Sequence, residues 1–218
     1  MMKGVNALIA DDHMLLRAGV RDAIERNGGI VCDEATTGRE AFDKAILYKP
    51  TLVVIDVTMP ELNGIEATRR ILNALPTVKV IILTQHQSNE LVRSAVEAGA
   101  RGYLLKTDTG QILLQAIQSV MAGGTFFSPV ITDVVLQSLA RSVHLTGPGI
   151  VYKERLTPRE GEVLQLLAEG KSTKEAASVL GTSTFTVETQ RKNVMRKLRL
   201  RNVSDLVRYA VRNHMIDA

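Results

Sequence analysis

The chain of 218 residues is 45% hydrophobic and 23% charged, with 16 glycines and 6 prolines; this composition excludes collagen-like, disordered and coiled-coil classes and leaves one large folded domain or two small ones. A single cysteine, Cys32, excludes an internal disulfide framework and a cysteine-based zinc site. The net charge of +4 is uneven, because residues 1–127 carry 13 Lys and Arg against 14 Asp and Glu, whereas residues 151–218 carry 13 against 8; such a basic segment suits nucleic acid, or simply a solvated surface.

In chain order, the apolar runs Val5–Ala10, Ile30–Cys32, Leu52–Ile55, Val80–Leu83 and Tyr103–Leu105 are too short for helices and predict five strands. Between and after them, apolar residues three and four apart predict helices over Met14–Asn27, Glu40–Lys49, Ile65–Leu75, Leu91–Ala98 and Ile112–Met121. Strict alternation requires parallel strands with crossover helices, so a doubly wound α/β domain with a five-stranded parallel sheet is expected over residues 1–122. Asp11 and Asp12 interrupt the apolar start, and no apolar run approaches the roughly 18 residues of a membrane span, so neither export nor membrane insertion is expected.

Gly123-Gly124, Pro129 and Gly147-Pro148-Gly149 then break the pattern. Ile131, Val134, Val135 and Leu139 form one stripe, which predicts a helix within a linker at 123–155. From Leu156 the chain reads as helical. Thr157-Pro158-Arg159-Glu160 and Ser172-Thr173-Lys174-Glu175 carry the spacing of capping boxes, Pro158 suits a first helical position, and Gly170 and Gly181 are placed to end helices. The expectation is an all-α domain over 156–218 with four helices, at 158–169, 173–180, 184–198 and 203–213. A short turn at Gly181-Thr182-Ser183 makes the middle pair a helix-turn-helix. That topology also describes an ordinary helical hairpin, but Arg191, Lys192, Arg196, Lys197, Arg199 and Arg201 give the third helix a basic face opposite the apolar Val187, Val194 and Leu198.

The functional crevice of an open parallel sheet lies beyond the C-terminal strand ends. There the sequence places Asp11 and Asp12, Asp56, Thr84 and Lys106. Each alone reads as a polar loop starter. Together, three carboxylates imply a hard divalent cation such as Mg²⁺. With a hydroxyl and an ammonium added, the set suits a tetrahedral phosphate, and a carboxylate can itself be the nucleophile that forms an aspartyl phosphate.

These segments carry a resemblance. ALIADDH, VVIDVTMPELNGIEA, VIILTQH and ARGYLLK resemble the receiver domain of two-component response regulators over about residues 4–122. LTPREGEVLQLLAEGKSTKEAASVLGTSTFTVETQRKNVMRKL resembles the LuxR-type output domain of the same NarL/FixJ-like regulators over about 156–213. The resemblance implies a flavodoxin-like receiver whose Asp56 accepts a phosphoryl group from a sensor histidine kinase or a small acyl phosphate. It implies that Asp11 and Asp12 help to bind Mg²⁺, with Asp12, Asp56 and the backbone carbonyl of Thr58 as direct ligands. Thr84 and Lys106 would hold the phosphoryl group, and Tyr103 would be the switch aromatic that turns inward as Thr84 is drawn toward it. Pro60 and Gly64 would shape the loop after the acceptor, while Thr58 and His86 stand where the family tunes dephosphorylation.

For the output domain the resemblance implies base-edge contacts by Glu188, Thr189 and Lys192. Arg191 and Lys197 would contact phosphates, with Lys171 and Lys174 flanking. Val203, Leu206, Val207, Tyr209 and Ala210 would form the dimer surface of an active homodimer on an inverted repeat of double-stranded DNA. RNA polymerase is a further implied partner, the compartment is cytoplasmic, and no enzyme activity is expected. The chain departs from the family with Thr107 where many receivers have Pro, with Gln190 where many relatives have His, and with Gly161 and Phe185 at commonly basic or polar positions. Phe185 could pack or touch a thymine methyl, which would make the operator unusual. Two rival readings stay open: a DNA-binding regulator indifferent to phosphorylation, and a Mg²⁺-dependent aspartyl-phosphate phosphatase. The adjacent Asp11-Asp12 pair differs from the DxD pattern of the latter, and the joint presence of Asp12, Asp56, Thr84 and Lys106 argues for a working phosphoacceptor.

Overall fold

The computed structural model describes residues 2, 4–108, 110–128, 131–132 and 156–217. The chain divides into two compact units. The first alternates β1 (Asn6–Ala10), α1 (Met14–Arg26), β2 (Ile30–Ala35), α2 (Gly38–Tyr48), β3 (Leu52–Ile55), α3 (Gly64–Ala74), β4 (Lys79–Thr84), α4 (Asn89–Ala98), β5 (Gly102–Leu105) and α5 (Gly110–Met121), and ends with β6 (Phe126–Phe127). All strands are parallel, in the order β2-β1-β3-β4-β5-β6.

The two-residue period of a strand sorts its side chains onto two faces. Ala7, Ile9, Leu52, Val54, Ile81, Leu83 and Leu104 form one core with Val20 and Ile24 of α1 and Leu113, Ala116, Ile117 and Val120 of α5. The intervening Leu8, Val53, Ile55, Val80, Ile82 and Tyr103 are equally buried, beneath the helices α2, α3 and α4, which pack in that sequence. Burial on both faces explains why β3 and β4 read as unbroken apolar runs.

Two features go beyond the five expected strands. β2 continues through Asp33 and Glu34 to Ala35, because at this edge the charges find partners on neighbouring helices. Lys44 lies 3.3 Å from Asp33, while Arg17 and Arg21 meet Glu34 at 3.0 and 2.7 Å. The sixth strand is added when Gly123, at φ +89°, turns the chain back along β5. There Phe126 N–H donates to the Arg101 carbonyl at 2.9 Å and Ser128 N–H to that of Tyr103 at 3.1 Å.

The second unit contains α6 (Pro158–Ala168), α7 (Thr173–Val179), α8 (Thr184–Leu198) and α9 (Val203–Arg212). Both expected capping boxes are formed, Thr157 with Glu160 and Ser172 with Glu175. Val163, Leu166, Ala176, Ala177, Leu180 and Val187 pack the α6–α7–α8 junction, and Leu164, Val194, Leu206 and Ala210 join α6, α8 and α9. The expected linker helix through Val134, Val135 and Leu139, and the Gly147-Pro148-Gly149 break, lie outside the described residues; Ile131, at its start, is buried. Among the described residues no helix is long and apolar enough to cross a membrane.

Candidate functional site

Parallel pairing in register brings the strand ends together. Ala10 stands opposite Ile55, Ile55 opposite Ile82, and Thr84 opposite Leu105, so the residues that follow emerge at one edge of the sheet. Backbone bonds carry the ladder one step further: Asp56 N–H donates to the Ala10 carbonyl at 2.8 Å, and Lys106 N–H to that of Thr84 at 2.7 Å. The Lys106 ammonium consequently sits between two carboxylates, 2.8 Å from Asp11 Oδ2 and 2.8 Å from Asp56 Oδ2. Both acids are nearly sealed from solvent, while Asp12 is about a third exposed at the rim.

Burial first, and the Asp11 charge to a smaller degree, push the Asp56 carboxyl up to about 6 against the pull of Lys106; at neutral pH it is therefore mainly an anion. Burial alone would lower the Lys106 ammonium, but Asp56 and Asp11 together hold it above its ordinary value.

Asp11, Asp12, Asp56 and the imidazole of His13 each place a ligand atom within 4.8 Å of the others. Ligands around one Mg²⁺ at about 2.1 Å can stand no more than about 4.2 Å apart, so small rotations of the exposed members complete a set. Asp11 Oδ2 is buried 2.8 Å from the Lys106 ammonium, and a carboxylate oxygen with that one partner keeps a lone pair for a second cation. The residues fit a hard divalent ion.

Around this centre the other expected residues take definite places. Thr84 is fully buried and its hydroxyl oxygen accepts from His86 N–H at 3.2 Å. Tyr103 is turned inward, with no exposed surface, and its hydroxyl donates to the carbonyl of the same His86 at 3.3 Å. Burial, and then the Asp56 charge, push the phenol above its ordinary value, so it stays a donor. Thr58 is buried two residues beyond the acceptor. Gly64 backs the loop: its N–H donates to the Val57 carbonyl at 2.8 Å, and a Cβ there would stand 1.7 Å from the Asp56 carbonyl oxygen.

In the second unit, α8 follows α7 after a turn of Leu180–Ser183, and the Ser183 hydroxyl caps it by accepting from Thr186 N–H at 3.1 Å. Val187 and Val194 are buried while Glu188, Thr189, Lys192 and Arg196 are exposed. Glu188, Arg191, Lys192 and Met195 line a shallow surface depression. Lys174 is exposed and Lys171 half-buried. Lys197 sits differently: its ammonium lies 2.7 Å from Glu160 Oε2, with 18% and 4% of the two side chains exposed.

The family described as response regulator receiver domain matches residues 7–118, and that described as bacterial regulatory proteins, luxR family, matches 154–210. The transcriptional regulatory protein LnrK of Bacillus subtilis is 34% identical over 95% of this chain and 97% of its own length. The chain belongs to the two-component response regulators with a LuxR-type DNA-binding domain. A solved LuxR-family regulator from Aurantimonas sp. SI85-9A1 is 36% identical over 62% of this chain and 98% of its own, with a TM-score of 0.60. RcsB of Salmonella enterica serovar Typhimurium, solved bound to a promoter in the presence of phosphomimetic BeF3-, is 25% identical over 95% of this chain and 98% of its own, with a TM-score of 0.58. These regulators are transcription factors and not enzymes.

Two groups of the receiver pocket escape a sequence reading. His13 immediately precedes α1, and its Nδ1 lies 2.6 Å from Asp12 Oδ1 and 3.2 Å from Asp11 Oδ1; the ALIADDH segment places it beside the acids and is the only signal. Arg17 donates to the Asp11 carbonyl at 2.7 Å and to Glu34 at 3.0 Å, strapping the end of β1 to β2, and no local pattern announces it. In the output domain the five residues of the expected dimer face part company. Leu206 and Ala210 are turned into the core and Tyr209 packs against it, which leaves Val203, 48% exposed, and the half-buried Val207 on the outer side.

Proposed function

We propose that this regulator is switched by phosphorylation of Asp56 and that residues 1–122 take up the phosphoryl group, 123–155 link the two parts, and 156–218 bind DNA. The observation that carries the reading is the Lys106 ammonium 2.8 Å from an oxygen of both Asp11 and Asp56. A cation held between the nucleophile and a second acid is where a transferred phosphoryl group needs charge compensation. An oxygen of the Asp56 carboxylate attacks phosphorus, and the P–N bond of a kinase phosphohistidine, or the P–O bond of an acyl phosphate, breaks. The departing imidazole or carboxylate keeps the bonding pair. Asp11, Asp12 and Asp56, with the carbonyl of Thr58, would hold Mg²⁺, which when bound neutralises the acids and the incoming phosphoryl oxygens.

Lys106 then pairs with the phosphoryl group and the Thr84 hydroxyl donates to it. Since Thr84 and Tyr103 both hold the backbone of His86, at 3.2 and 3.3 Å, moving Thr84 changes the support of Tyr103, and two states with different contacts result.

On the DNA side, Glu188, Thr189 and Lys192 read base edges while Arg191, Lys171 and Lys174 meet phosphates. The ion pair with Glu160 supports a part in the fold for Lys197, which was expected to meet a phosphate. Val203 and Val207 form the outer seam of a homodimer on an inverted repeat; a solved structure of two RcsB dimers bound to two parallel DNAs supports the dimer itself. The donor is a sensor histidine kinase, RNA polymerase is a downstream partner and the compartment is the cytoplasm. Treatment with acetyl phosphate and Mg²⁺ is expected to add one phosphoryl group to the wild type, seen as an intact-mass shift, and none to Asp56→Asn. Equal addition to both proteins contradicts the assignment.

A further inference from the structure

Phe185 stands in the first turn of α8 with 78% of its surface exposed, and among the described large apolar side chains only Leu15, at 83%, is more exposed. It shares its helix face with Glu188, Thr189, Lys192 and Arg196, all exposed and spaced by three or four residues, while Val187 and Val194 hold the buried side. Whatever covers Glu188 and Lys192 therefore covers the ring as well. Thr189 adds a second observation: its hydroxyl donates to the Phe185 carbonyl at 3.0 Å, which occupies its proton and ties the two residues into one turn.

The first residues of a DNA-reading helix lie nearest the base edges. A benzyl side chain gains nothing from a phosphate, and the apolar group that base pairs offer in the major groove is the thymine C5-methyl. We propose that Phe185 reads a thymine methyl in each half-site, next to the bases read by Glu188 and Lys192. The inference rests on the proposed DNA-reading role of α8. It adds a base identity that the basic residues do not supply, and it accounts for an aromatic ring left in water on an otherwise polar face.

The test uses the full chain and a site selected from random DNA. Each thymine is replaced in turn by deoxyuridine, which removes only the methyl, at fixed ionic strength. The wild type is expected to bind about fourfold more weakly at one symmetry-related pair of positions, the scale of one buried methyl group. Phe185→Ala is expected to bind thymine and uracil there equally, with an unchanged slope of affinity against salt because no phosphate contact is lost. Wild-type indifference to uracil at every position, or undiminished uracil sensitivity in Phe185→Ala, overturns the inference. Lys192→Ala separates the two levels of the argument. If it binds the selected site as well as the wild type, the DNA-reading role of α8 fails and the inference with it; if it binds weakly while uracil is silent, only the inference fails.

Discussion

The Lys106 ammonium lies 2.8 Å from Asp56 Oδ2, and this contact opposes the burial that drives the acceptor's carboxyl upward. Burial raises the Asp56 carboxyl, Lys106 lowers it and Asp11 raises it, and together they leave it pushed up to about 6. Lys106→Ala is therefore expected to move the Asp56 titration above that value, and Asp11→Asn to move it below. Carboxyl carbon shifts followed by NMR in metal-free protein check both signs, and a shift in the same direction for the two variants would contradict the arrangement.

The same group gives stability a pH dependence. Between the ordinary 3.8 and about 6 the folded protein holds a proton that the unfolded chain has released, so this contribution favours the fold at low pH and is lost as pH rises through that window. Asp56→Asn lacks the titration. In the presence of a chelator, the wild type is expected to lose about 1 kcal/mol relative to Asp56→Asn between about pH 5 and pH 7.5, measured by urea unfolding at each pH. With Mg²⁺ present the order inverts for binding: affinity for the ion is expected to fall as pH drops through about 6, because protonation removes a ligand.

Gly64→Ala tests the loop that carries the acceptor. The added methyl would stand 1.7 Å from the Asp56 carbonyl oxygen, and backbone rather than a flexible side chain has to move. A loss of roughly 3 kcal/mol in unfolding free energy is expected, together with weaker Mg²⁺ binding; isothermal titration and denaturation measure the two.

Two lysines on α8 are expected to fail in different ways. Lys197→Ala strands the buried Glu160 carboxylate, which Lys197 and the Thr157 backbone hold below its ordinary value despite burial, and should cost about 1–3 kcal/mol of stability. Lys192→Ala should leave the melting curve unchanged, weaken DNA binding and, through lost base discrimination, flatten the preference among selected sequences.

Much of this was legible because the central strands are buried on both faces: Leu52–Ile55 and Val80–Leu83 admit few other readings, and strand ends follow from strands. The acids, the hydroxyl and the lysine then fall at one edge by topology alone. What sequence reading missed depends on contacts between distant positions. Asp33 and Glu34 look like loop residues until Arg17, Arg21 and Lys44 arrive from two helices. Phe126–Phe127 is too short for any period, and the contact of Lys197 with Glu160, 37 residues away, leaves no local mark in the sequence. Leu206 and Val203 carry similar apolarity in the sequence, and only the packing of α9 tells the core residue from the exposed one.

The central claim is that a phosphoryl group on Asp56 changes DNA binding. Affinity for a site selected from random DNA, measured at matched salt and Mg²⁺ before and after acetyl phosphate, tests it with Asp56→Asn as control. Tighter binding after treatment by the wild type alone is the predicted result; equal affinity in all samples would contradict the switch and leave a DNA-binding protein whose receiver answers to something else.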